Sequence, residues 1–170
     1  MGQEKVYIQI LTESLLKKNG CLEELIKLTK DQSGVIDDLA NSGERNISTE
    51  TMVRFDEILN KKQVVLEEIR VLDSGFESIY LTKAKEIMQK EKENLKEQII
   101  QMQDYIKVAT DKAVSLETLE RRNKAKFDLY LNQSRQKINA IKQNKQSVAN
   151  YYKNIPYQHQ GQSYFIDKKK

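Results

Sequence analysis

Ile8, Leu11, Leu15, Leu22, Leu25, Ile36 and Leu39 fall on alternating three- and four-residue steps, and Lys18, Thr29 and Gln32 take the positions left between them. Steps of that kind place every seam residue on one stripe of an α-helix, so an amphipathic helix is predicted from about Glu4 to Leu39. At 1.5 Å per residue it is roughly 50 Å long. Gly20 and Gly34 lie inside it and weaken it by about 1 kcal/mol each relative to Ala. Asn41-Ser42-Gly43 supplies a stop, and Asn46 to Ser48 continues the loop.

Ser48 or Thr49 is a candidate N-cap for a second helix, whose stripe is Met52, Phe55, Leu59, Leu66 and Ile69. Asp73-Ser74-Gly75 then joins two cap-type residues to a glycine, which predicts a break or sharp bend. A third helix is expected from Phe76, with Tyr80, Ile87, Leu95, Ile99, Met102 and Ile106 on its stripe. The next boundary carries no breaker. From Phe76 to Tyr152 there is no Gly or Pro, and the register runs on through Ala109, Ala113, Leu116, Phe127, Tyr130, Ile138, Ile141 and Val148. One helix of that span is roughly 115 Å long and has nothing of similar length to pack on. A turn is therefore expected where the stripe is weakest, at Ala109 to Ser115, in preference to one continuous helix. The expected fold class is all-α: an elongated antiparallel bundle of about four long helices with coiled-coil-like packing over residues 1–153, then an irregular C-terminal tail over 154–170.

Composition agrees with that reading. With 32 % charged residues, one Pro and six Gly in 170 residues, the chain is too poor in turn formers to build a β-sheet of this size. No segment has the apolar run of a signal peptide or a membrane span, and the single Cys21 fits a reducing compartment, so a cytoplasmic location without membrane contact is expected. The net charge of +4 is unevenly spread. Residues 121–170 hold twelve basic and two acidic side chains, against 17 and 23 in the rest of the chain.

The inventory also excludes most catalytic chemistry. His159 is the only histidine, so neither a His-based triad nor a His-containing zinc site can form within one chain, and there is no Glu-x-x-His pair for a di-iron bundle. No glycine-rich phosphate loop is present, and adjacent carboxylates such as Glu67 and Glu68 point to different sides of a helix. A non-enzymatic chain with no cofactor and no metal is expected. Two features point instead to binding. Arg121, Arg122, Lys124, Lys126, Arg135, Lys137, Lys142 and Lys145 form a basic stretch that can neutralise phosphates. They are spread around the helix, however, so an acidic face of the same bundle or an acidic protein is preferred over nucleic acid as their partner. The second feature is the ending YYKNIPYQHQGQSYFIDKKK, which holds four of the eight tyrosines and the only proline. Its aromatic side chains either cap the bundle or meet a partner.

Several stretches carry a family resemblance. They are Tyr7 to Leu15 (YIQILTESL), Lys61-Lys62-Gln63, Leu72 to Tyr80 (LDSGFESIY), Leu119-Glu120-Arg121-Arg122-Asn123, Ala149-Asn150-Tyr151-Tyr152-Lys153 and Tyr164 to Lys170 (YFIDKKK). In this order they resemble the FlgN-like flagellar export chaperones of Gram-positive bacteria, over nearly the whole chain. The resemblance implies a four-helix cytoplasmic chaperone that holds hook–filament junction proteins (FlgK- and FlgL-like) before flagellar type III export and delivers them to the export gate. It implies client binding in the C-terminal part, for which the seam residues Phe127, Tyr130, Ile138, Ile141 and Val148 are the candidate groove if they are not wholly buried in the bundle. A C-terminal tyrosine is implied as the gate contact. Tyr151 and Tyr152 are the first candidates, with Tyr157, Tyr164 and Phe165 beyond them. A self-associating coiled-coil scaffold is the alternative, nucleic-acid binding through the basic last third is a weaker one, and the chain is expected to be a monomer or dimer.

Overall fold

The computed structural model describes residues 2–42, 49–133 and 138–153, and of residues 138–144 the backbone alone. The elements are α1 (Gly2–Asn41), α2 (Thr49–Ile79), a π-helical turn (Tyr80–Ala84), α3 (Lys85–Lys90), α4 (Lys96–Gln133) and α5 (Ile138–Lys153). Among the described residues there is no strand. The fold is an all-α bundle of about four helical passes, in which α2, the π turn and α3 together make the second.

The α1 stripe is buried along its whole length: Ile8, Leu11, Leu15, Lys18, Leu22, Leu25, Thr29, Gln32, Ile36 and Leu39. Contacts fix the helix directions. Gln32 meets Lys62 and Asp38 meets Arg54, so α1 and α2 are antiparallel. Asn19 meets Tyr105 and Glu23 meets Lys112, so α1 and α4 are parallel. Tyr151 and Tyr152 return to Glu120, and α5 therefore runs back along α4.

These helices form two compact units, one from the chain up to Glu23 with Glu67–Ala113, the other from Glu24–Leu66 with the described chain from Val114 to Lys153. In the first, Ile8, Leu11 and Leu15 pack with Ala84, Leu95, Met102 and Ile106, and half-buried Phe76, Tyr80, Ile87 and Tyr105 close around them. In the second, Phe55 and Phe127 stack with ring centroids 5.0 Å apart and planes 9° from parallel, and Tyr130 tilts onto Phe127. Leu25, Ile36, Leu59 and Leu66 are buried in the same unit.

Two expected boundaries are corrected. The helix does not break at Asp73-Ser74-Gly75; α2 runs through to Ile79. Asp73 caps nothing there, because its carboxylate accepts a hydrogen bond from Lys18 Nζ at 2.6 Å, and a Cβ added at Gly75 meets no atom within 4 Å. Nor does the chain turn at Ala109–Ser115, which lies inside the continuous helix α4. The reversal comes earlier, at residues 91–95 between α3 and α4. Glu91 ends α3 at φ −106°, ψ 27°, and its N–H and that of Leu95 still donate to carbonyls four residues back. That conformation is open to any L-residue, so the turn needs neither Gly nor Pro and leaves no breaker to read.

The π turn has a packing cause. The α2 seam steps 55, 59, 62, 66, 69, 73, 76, 80, and the next three-residue step lands on Lys83. One extra residue in the turn shifts the seam so that Ala84 is buried and Lys83 stays exposed.

Candidate functional site

The second unit contains a polar cluster in its interior. Continuing the seam of α4 past Leu116 gives Glu120 and Asn123 before Phe127 and Tyr130, and the α2 seam has Lys62 between Leu59 and Leu66. With Thr29 and Gln32 of α1 they occupy positions that coiled-coil-like packing ordinarily fills with apolar side chains. Lys62 is 0 % exposed and Glu120 1 %.

These groups satisfy one another. Lys62 Nζ lies 2.5 Å from Glu120 Oε1 and donates to Gln32 Oε1 at 2.7 Å. The Thr29 hydroxyl lies 3.0 Å from the same Glu120 oxygen and 2.7 Å from the Leu25 carbonyl oxygen. Asn123 Nδ2 donates to the Thr29 carbonyl at 2.8 Å, tying α4 to α1. Helix α5 closes the cluster with Tyr151, 0 % exposed, whose hydroxyl donates to Glu120 Oε1 and whose ring centroid lies 4.2 Å from Lys62 Nζ. Tyr152 is half-buried, stands edge-on to Tyr151, and donates its hydroxyl to the Glu120 carbonyl at 3.0 Å. Glu120 Oε2 is buried and accepts no hydrogen bond among the described residues.

The electrostatics follow from this burial. Removal from water lowers the Lys62 ammonium to about 8, even though Glu120 pulls it the other way. Burial, reinforced by the neighbouring Glu120 carboxylate, raises the Tyr151 phenol well above its usual value and raises Tyr152 as well. Both phenols stay protonated at neutral pH, and the cluster has no exposed nucleophile.

The expected site residues divide between several places. Phe127, Tyr130 and Val148 are buried within the second unit, so their surfaces are already covered there. Ile138 and Ile141 belong to α5, with side chains outside the described set. Tyr151 and Tyr152 continue α5 and enter the polar cluster, whereas Tyr157, Tyr164 and Phe165 lie outside the described residues. Part of the basic stretch is spent within the chain: Lys126 on Asp37, Arg121 on Glu117 and Lys124 on Asp128. Cys21 is buried, and among the described residues no group of three or more potential ligands is placed to hold a metal ion.

Lys62, Glu120, Asn123, Thr29 and Gln32 were not among the expected site residues. Their signal was present, because a three-four seam that stays in register through a polar residue marks that residue as buried and in need of a partner. Only the meeting of these five residues, from the seams of three helices, at one level needed the folded chain. In the first unit the same signal marks Lys18, 3 % exposed, which finds Asp73. Burial outweighs Lys18 and raises the Asp73 carboxyl.

Among the described residues no helix is long and apolar enough to cross a membrane. No family model, curated protein or solved structure matches this chain.

Proposed function

We propose that this chain is a non-enzymatic chaperone that holds an amphipathic helix of a client protein in the groove now filled by α5. The observation that carries the reading is convergence. Three of the stretches on which the FlgN-like resemblance rests meet in one buried cluster: Lys62 from the second helix, Glu120 and Asn123 from α4, and Tyr151 and Tyr152 from α5. Helix α5 is a 16-residue segment that lays Val148 and Tyr151 into the second unit, in the manner of a helix seated in a groove. A client helix with an exposed apolar stripe gains roughly 25 cal/mol for each Å² of apolar surface buried in the same place. Competition with α5 subtracts from that gain and keeps affinity near the micromolar range, which suits a chaperone that must release its cargo.

The clients proposed are hook–filament junction proteins, held in the cytoplasm before flagellar type III export. Helix α5, once released, presents Tyr151 or Tyr152 to the export gate. Size-exclusion chromatography with light scattering on the full chain mixed with a folded junction protein tests this. A soluble complex of defined stoichiometry is expected. Separate elution of both proteins at tens of micromolar overturns the chaperone reading.

A further inference from the structure

Resting on the reading that the α5 groove receives client helices, we infer that the Lys62–Glu120 pair makes this groove selective for a helix carrying a tyrosine at the level of Tyr151. At this level the three helices that form the groove contribute the polar seam residues Thr29 and Gln32 from α1, Lys62 from α2, and Glu120 and Asn123 from α4. Lys62, Glu120, Thr29, Gln32 and Asn123 are each buried to within 1 % of complete. Of the three hydrogens of the Lys62 ammonium, partners within hydrogen-bond reach are Glu120 and Gln32, and the Tyr151 ring lies against the same ammonium. The Tyr151 hydroxyl reaches Glu120 Oε1, while Oε2 of that carboxylate is buried and accepts nothing among the described residues. The groove therefore asks two things of its occupant: an aromatic face over a buried cation and a hydroxyl proton for a buried carboxylate.

Only tyrosine supplies both. Phenylalanine keeps the face and leaves the carboxylate one donor short. Leucine loses the face as well. A simple apolar groove ranks the same residues the other way, because phenylalanine and leucine lose less on leaving water than tyrosine does. The rank order Tyr, Phe, Leu is thus a signature of the polar pair and not of hydrophobic burial.

The test is a fluorescence-anisotropy titration of the full chain carrying Tyr151→Leu, whose own α5 is weakened. The ligand is a labelled synthetic peptide with the sequence of residues 138–153. Peptides with Phe or Leu at the position of Tyr151 are compared with it. The Phe peptide is expected to bind about ten- to a hundred-fold more weakly, the range for leaving a buried charged acceptor without its donor, and the Leu peptide more weakly still. In a chain that also carries Lys62→Met and Glu120→Leu the preference for tyrosine should vanish. Should Tyr151→Leu lose its helical circular dichroism, Tyr151→Phe serves as host for the same series. Equal or tighter binding of the Phe or Leu peptide overturns the inference, as does failure of the tyrosine peptide to bind either host. A junction protein that binds the full chain while the peptides show no tyrosine preference sinks this inference and leaves the chaperone reading intact. A clear preference with no client complex does the reverse.

Discussion

Lys62 is held by groups from three other helices, and removing one member of such a buried pair is costly. Lys62→Met leaves the Glu120 carboxylate buried beside Tyr151 without its cation, and a loss of about 3–5 kcal/mol in unfolding free energy is expected. Lys62→Met combined with Glu120→Leu removes both charges and should cost much less than the single change. Urea unfolding followed by circular dichroism measures both, and a double variant as unstable as the single one contradicts the account. The pH dependence has a definite sign. Lys62 is near 8 in the folded chain against 10.5 when unfolded, so in that window the unfolded chain binds the extra proton. The stability Lys62 contributes therefore grows as pH rises from about 8 and is lost as pH falls through it. Tyr151 and Tyr152, both raised from 10.0, act oppositely: their contribution is present below that pH and lost above it. The urea midpoint should show a rising component between pH 8 and 10 that the double variant lacks.

At the level of the helices, the seam was legible and its interruptions were not. Every α1 seam residue read from the sequence is buried, polar ones included. The break expected at Asp73-Ser74-Gly75 failed because glycine and aspartate report a local preference, worth about 1 kcal/mol, that the packing of α2 in the bundle outweighs. The turn at 91–95 was hidden for the opposite reason: its backbone needs no special residue, and Leu95 keeps the heptad step across it. Gly20, Gly34 and Gly75 are helical, and an added Cβ meets nothing within 4 Å at any of them. Replacing all three by Ala should therefore stabilise the chain by roughly 0.5–1 kcal/mol per site. A Gly75→Ala variant that is less stable than the parent in thermal unfolding would show that the chain bends there.

For the molecule as a whole, α5 belongs to the bundle as far as Lys153, and its two tyrosines are the link between body and end. Sequence reasoning marked both tyrosines and left them either capping the bundle or meeting a partner, because aromatic residues next to a polar ending give no hint of an internal carboxylate. A chain cut after Asn150 loses both phenols and uncovers the Lys62–Glu120 pair. Its unfolding midpoint should fall, by about 3 kcal/mol in free energy for a fully buried aromatic side chain and its hydrogen bond, while α1, α2 and α4 remain helical. An unchanged midpoint contradicts the seating of Tyr151. The central claim is that a client takes the place of α5. Hydrogen exchange read by mass spectrometry, on the full chain with and without a saturating junction protein, tests it most directly. Amides of α5 should lose protection on client binding while those of α1 keep theirs. A bound client that leaves α5 as protected as before contradicts the account.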